Sequence, residues 1–383
     1  MKRLFCLLLI CVTVLFCGSC DKQDGDAGGT ALGYSDPYLY TQIGGVLHRI
    51  SPHSASVTPV CPDPLCRHAD ETCPLYGVEN IQFDGQYLYY QKVNYALGEA
   101  SSLCRYDLKN GKFQELYRAE DGSLFGFFAG EGYVFFNRTT VDEDGNNCYS
   151  VYRYDTESGK TVQLHDEPFE TEQVCLLVKD GRVYWHGDTW YSTDPDFQNR
   201  RENDRGYSPN LTRDKYFYEM ESGEIKGYDG YKQMCFCIIR VDRETGERVT
   251  VTEDAASAPI LYGDKVIYGK LETPRYLGKI QSGEGGSWNE QYDKYGGKLY
   301  ICNSDGTDER VLCDFSDTSY ALTVSHNILG GKTGVGDWIA VMLFDYVSAD
   351  DCDPEKIKRS DNVYMLINIK TGEWKVASIE TRS

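Results

Sequence analysis

Four residues in one short run have the types and spacing to do chemistry. The stretch VCPDPLCRHADETCPLYG holds Cys61, Cys66, His68 and Cys73 in the order C-x4-C-x-H-x4-C. Three thiolates and one imidazole are the sulfur and nitrogen donors that a tetrahedral structural zinc ion takes. Pro62, Pro64 and Pro74 stiffen the loop and lower the entropy lost when the donors converge. The spacing departs from the common knuckle, C-x2-C-x4-H-x4-C. A disulfide between two of these cysteines is the competing expectation, with free thiols as the third.

Other candidates are weaker. Cys235 and Cys237 in MCFCII share one face of an alternating strand, so they read either as a redox C-x-C pair or as two small buried residues among apolar neighbours. Asp142, Asp144, Gly145 and Asn147 resemble part of a calcium loop but lack a distal bidentate glutamate, which favours a solvated hairpin tip. Aromatic residues gather in two long polar stretches: Trp185, Trp190, Tyr191, Tyr207, Tyr216 and Tyr218 in one, Trp288, Tyr292 and Tyr295 in the other. With neighbouring Asp, Asn and Arg they suit recognition of sugar or peptide, and of these Trp185, Trp190, Tyr191, Trp288 and Tyr292 are the candidate ligand-binding residues. Packing of loops on a scaffold rim explains the same clusters equally well. His48, His53, His165, His186 and His326 are scattered, and neither G-x-S-x-G nor H-E-x-x-H occurs. Carboxylate pairs for glycoside chemistry can still be assembled from separate repeats.

The elements that must position these residues are strands. The segment 81–116 contains an Asp-Gly turn, an alternating aromatic strand (Tyr87, Leu88, Tyr89, Tyr90), a second strand at 103–106 and a third after Asn110-Gly111. The chain repeats this antiparallel meander. An abbreviated copy occupies 38–60, a third 124–164, a fourth starts at 174 and completes itself near 238–242, a fifth spans 259–313 and a sixth 320–379. Insertions fall near 61–76, 186–234, 271–297 and 346–360. Six copies predict an all-β fold, a β-propeller of antiparallel meander blades over 36–383, with six blades favoured and seven as the other count. A pair of β-sandwiches is the runner-up, but it does not require one signature six times.

The amino terminus reads as an address. Residues 1–19 have a basic start at Lys2 and Arg3, an apolar run and small residues Gly18 and Ser19, the pattern of a secretory signal peptide. Small residues before Cys20, with a Gly-rich tether after it to about residue 35, resemble a bacterial lipobox; the resemblance implies lipidation of Cys20, although Cys17 stands where such boxes usually carry Leu. The expected location is extracytoplasmic, lipid-anchored at the cell surface. The chain carries a formal charge of −20, and loss of Lys2 and Arg3 makes it more acidic still, which argues against nucleic acid as a partner. Of 15 cysteines, Cys6, Cys11 and Cys17 leave with the leader and Cys20 carries lipid, leaving an odd number. Three metal-bound thiolates would let the rest pair, whereas full oxidation strands one thiol.

At 299–312, LYICNSDGTDERVL, strand, Asn-x-Asp-Gly-Thr turn and Val-Leu resemble the repeat of TolB-like propellers and of a group of propeller lipoproteins of Gram-positive gut anaerobes. That group is also similar at the cysteine loop, with a C-x-x-P-x-C-x-H pattern and a later Cys. The resemblance implies an extracytoplasmic binding or scaffolding role and no defined catalytic residue. The first expectation is therefore a non-catalytic propeller engaging a protein, peptide or glycan. The alternative is an extracellular carbohydrate-active hydrolase or lyase. A weaker third is a metal or redox sensor built on 61–73.

Overall fold

Four turns share one hydrogen-bond pattern and mark out the repeating unit. Asp107 Oδ1 accepts the amides of Lys109 and Asn110 at 2.9 and 3.0 Å, and the Gly111 amide donates to the Asp107 carbonyl at 2.8 Å. Asp155 with Gly159, Asp242 with Gly246 and Asn368 with Gly372 repeat it. Each closing glycine has φ between +64° and +74°, the left-handed region in which a Cβ is strained. This turn joins the two outer strands of a meander, so its recurrence sets the register of the sheets.

The structure is a computed structural model describing residues 36–379, apart from 71, 95–98, 203–210, 212–214, 229–230, 284, 323–333 and 351. Cys20 with its leader, Tyr207 and His326 lie outside the described residues. The described residues form strands and no α-helix. In chain order the meanders are Leu39–Ile43, Val46–Ile50 and Ser56–Pro59; then Val78–Phe83, Tyr87–Asn94, Glu99–Asp107 and Lys112–Arg118; then Ser123–Gly130, Tyr133–Val141, Asn147–Asp155 and Thr161–Gln163. Val174–Lys179, Arg182–His186, Trp190–Thr193 and Arg201–Glu202 follow, then Tyr216–Tyr228, Tyr231–Asp242 and Arg248–Ala255. Ile260–Tyr262, Lys265–Tyr268, Lys298–Asn303 and Arg310–Asp314 come next, and last Tyr320–Leu322 and Gly334–Val335 against Trp338–Ser348, Lys356–Asn368 and Trp374–Ile379.

Strand alternation explains how these sheets stack. Leu88 and Tyr90 pack with Tyr40 and Leu47 of the first meander, while Tyr89 between them packs with Leu124 and Phe136 of the third. Val134 and Phe136 face back to the second meander, and Phe135 faces forward to Trp185. Val266 and Tyr268 pack with Tyr218 and Ile238, and Ile267 with Ile339 and Val341. Ala340 then faces Leu39 and Ile50 of the first meander. Runs such as VFF, VIY and IAVML are thus buried on both faces, which is why they read as continuous apolar stretches. Successive meanders stacked face to face, with the last returned to the first, make a β-propeller. The closure is hydrogen-bonded as well: Ser378 and Ile379 pair in parallel with Ser56 and Val57.

The expected fourth repeat divides in two. Its first half does not wait for Ile238; it pairs with Trp190–Thr193 in the register Val183↔Thr193. Ile238 belongs to a separate sheet, where it lies opposite Met220 in the long hairpin Tyr216–Tyr228 and Tyr231–Asp242. The span 186–234 therefore carries strands of two sheets. They look like a polar insertion because one face of the hairpin is charged: Glu219 and Glu221 both receive Arg248, each at 2.5 Å.

One hairpin forms an arm. Arg275–Gln281 and Trp288–Asp293, inserted between strands of one sheet, meet the extended Lys356–Asn368 strand in a short parallel seam, Lys279↔Lys356 and Ile280↔Ile357. Gly278, at φ +141°, permits this approach, since a Cβ there would lie 2.7 Å from the Glu355 carbonyl oxygen.

Candidate functional site

The cysteine loop connects the outer strand of the first meander to the inner strand of the second, and one residue clamps both of its ends. Val60 donates its amide to the Leu47 carbonyl at 3.0 Å, and the Leu47 amide donates to the Leu75 carbonyl at 3.1 Å. Val60, Cys61, Cys73 and Leu75 are buried with Leu88, Tyr90, Cys104 and Tyr106. Because Cys61 and Cys73 leave the core beside this clamp, their side chains converge. Two tight turns bring the other donors back: the Cys66 amide donates to the Asp63 carbonyl, and the Cys73 amide to the Asp70 carbonyl, each at 3.2 Å. His68 takes φ +54°, a left-handed backbone costing a non-glycine residue roughly 1–2 kcal/mol.

The four donor atoms of Cys61, Cys66, His68 and Cys73 all lie within 4.8 Å of one another. Cys73 Sγ is 3.5 Å from His68 Nδ1. A tetrahedral ion about 2.3 Å from sulfur and about 2.0 Å from nitrogen sets two such ligands about 3.5 Å apart, so the pair has the edge length such a centre needs. Burial raises the Cys61 thiol above its ordinary value and pushes Cys73 up to about 12. The amides of Asp63 and Leu75, each two residues further on, donate to these two sulfurs and act in the opposite sense. Among the described residues no other group of His, Cys, Asp and Glu converges in this way.

One neighbour of the cluster is not evident from the loop itself. His48 is buried on the adjoining hairpin, with Nδ1 2.9 Å from the Val46 carbonyl. Burial lowers its pKa, and charge on His68 lowers it further. Thirteen residues upstream of Cys61, it carries no spacing signal, and only the strand register brings it close.

The aromatic candidates are dispersed. Trp185 is 0 % exposed, wedged between Phe135 and Phe197, and donates Nε1–H to Thr193 Oγ1 at 3.0 Å. Tyr191 is buried beside it, donates its hydroxyl to Gln173 and lies under the Arg200 guanidinium, 3.8 Å from the ring centroid. Both are core residues, not an exposed binding face. Trp190 packs against His186, with ring centroids 4.4 Å apart and the planes tilted by 48°. Trp288 and Tyr292 stand on the arm, the former near Lys356, the latter against Tyr276 and donating to Glu290. Tyr216 and Tyr218 pack in the hairpin core, and Tyr295 is buried. Cys235 is buried and Cys237 half-buried, within separate apolar clusters. Asp142 caps its own hairpin tip, accepting the amides of Asp144 and Asn146 at 2.9 and 2.8 Å, so this stretch is a turn.

At the base of the arm lies an open cleft of about 480 Å³ bounded by Arg275, Tyr276, Tyr346 and the 316–319 loop. Arg275 organises its floor. One terminal nitrogen donates to the carbonyls of Ser316 and Thr318, the other to the Tyr320 carbonyl and, at 3.1 Å, to the buried Asp293 carboxylate.

No protein-family model and no curated protein matches the chain. Similar solved structures include an oligogalacturonate lyase from Vibrio parahaemolyticus, at 13 % identity over 82 % of this chain and 86 % of that one, with a TM-score of 0.43. An oligogalacturonate lyase in complex with manganese is 13 % identical, covering 79 % of each chain, with a TM-score of 0.40. A computationally designed protein, Ika8, is 13 % identical over 92 % of this chain and 99 % of that one, with a TM-score of 0.38.

Proposed function

We propose that this chain is a lipid-anchored, extracytoplasmic propeller of the TolB-like kind. In it Cys61, Cys66, His68 and Cys73 hold a structural zinc ion, and the rigid scaffold engages a protein, peptide or glycan partner without catalysis. The observation that carries the metal reading is the convergence of four donors inside a loop clamped at both ends on Leu47. A two-cysteine bridge needs neither the third thiol nor the strained histidine. Four protein donors leave no position open for substrate, so the ion ties the first meander to the second and performs no reaction. Division of the fourth repeat into two sheets supports seven blades. The leader and Cys20 support the anchor, and long loops on a fixed scaffold are where partner recognition concentrates. Purification without oxygen or chelator, followed by metal analysis and thiol mapping, tests the centre. Stoichiometric zinc with Cys61, Cys66 and Cys73 protected supports it, and a disulfide linking any two of them refutes it.

A second reading, an extracellular carbohydrate-active hydrolase or lyase, draws on the open cleft, whose volume is adequate for sugar units. Incubation with a panel of plant and bacterial polysaccharides tests it: a hydrolase releases reducing ends, and a lyase releases unsaturated uronates.

A further inference from the structure

We infer that the cleft at the base of the arm binds a short neutral oligosaccharide, an inference that rests on the partner-binding reading and names the chemistry of one partner. Its volume of about 480 Å³ falls within the range of about 300–1,000 Å³ usual for small-molecule sites. Two tyrosines face it from different strands: Tyr276, 43 % exposed and braced edge-on by Tyr292, and Tyr346, braced edge-on by Phe344. Such rings offer an apolar face to the C–H side of a sugar and a hydroxyl to its rim. The phenols of Tyr276 and Tyr346 and the carboxylate of Asp317 make no hydrogen bond among the described residues, so they are available to sugar hydroxyls.

The charge pattern selects against acidic sugars. Arg275 is the one cation in the described lining, and its charge is already met by Asp293 and by the carbonyls of the 315–320 loop. A uronate entering the cleft would meet Asp317 and no unpaired cation in the lining itself, since the neighbouring Arg359, opposite Tyr346 in the sheet, lies over the Phe344 ring. A neutral sugar meets one acceptor and two phenols, which can bond its hydroxyls without an opposing charge.

Calorimetric titration of the full chain in detergent with maltotriose, cellotriose, mannotriose, N-acetylchitotriose and trigalacturonate tests the inference. At least one neutral trisaccharide is expected to bind, with affinity falling tenfold or more in Tyr276→Ala and in Asp317→Ala, and trigalacturonate is expected not to bind. Both side chains are exposed, so these variants keep the fold, which circular dichroism and retained zinc verify. Failure of every neutral sugar, unchanged affinity in both variants, or preferential binding of trigalacturonate overturns it. Zinc content measured on the same preparation keeps this outcome separate from failure of the metal reading.

Discussion

Thr41 donates its hydroxyl to the Tyr364 hydroxyl at 2.5 Å, joining buried side chains 323 positions apart in the chain. The bond spans the interface where the last meander meets the first. Tyr364→Phe keeps the ring and its packing but leaves the Thr41 hydroxyl buried without this partner. The expected cost is about 1–3 kcal/mol of unfolding free energy, measured by denaturant titration. A variant as stable as the parent would show that the bond adds nothing to closure.

Cys73→Ser should abolish stoichiometric zinc, and a strong chelator should do the same to the parent. Because Val60 and Leu75 remain paired to Leu47, the rest of the propeller should persist. The change should therefore appear as new protease cleavage within 60–75 and a lower Tm. Equal protease resistance with and without metal would remove the structural role assigned to the ion.

Trp185→Ala and Trp288→Ala separate a core role from a surface one. The first deletes a fully buried indole and leaves a cavity between Phe135 and Phe197, at a cost of about 3–5 kcal/mol. The second, on the arm, should cost about 1 kcal/mol or less. Thermal unfolding of the two variants side by side gives the comparison, and similar losses would contradict it.

Acid should weaken the turn at Asp242. The amides of Thr245 and Glu244 and the Lys215 ammonium favour its ionised form and hold its pKa at about 2. A carboxylate depressed in the folded state stabilises it above the unfolded pKa near 4, and that stabilisation fades as pH falls toward 2. Asp242→Asn should accordingly be less stable than the parent at neutral pH, with the difference narrowing between about pH 4 and pH 2. A difference independent of pH would exclude this linkage.

Gly278→Ala should open the seam between the arm and the last meander. A left-handed φ costs about 1–3 kcal/mol for a residue with a Cβ, and the added methyl would press on the Glu355 carbonyl. Hydrogen exchange at the Lys279 amide, which donates to that carbonyl at 2.6 Å, should accelerate. Unchanged protection would mean that the seam accommodates the methyl.

The strands most readable in the sequence are those buried on both faces, such as Tyr87–Asn94 and Trp338–Ser348, because each carries an unbroken apolar or aromatic run, 87–90 in the first and 338–344 in the second. The Asp-to-Gly turns were legible for a related reason, since φ and side-chain chemistry restrict both ends. Tyr216–Tyr228 was not, because Glu219 and Glu221 lie on its exposed face and mask the alternation. At the cysteine loop, spacing identified the four donors, while the Leu47 clamp and His48 depend on tertiary pairing that no local pattern encodes. Trp185 and Tyr191 gave the opposite difficulty: indole and phenol suit a binding face and a core equally, and only burial separates the two roles.

The parallel pairing of Ser378 and Ile379 with Ser56 and Val57 also sets an order of events. A chain made from its amino terminus completes the first meander early and its neighbour strand very late. Until then Ser56–Pro59 presents an unpaired edge, and the faces of Leu39 and Ile50 lack their cover. Contacts so distant in sequence form slowly, since the intervening loop entropy must be lost first. The seam that makes the finished ring continuous therefore leaves the nascent protein dependent on protection from strand exchange and aggregation until Trp374–Ile379 arrives.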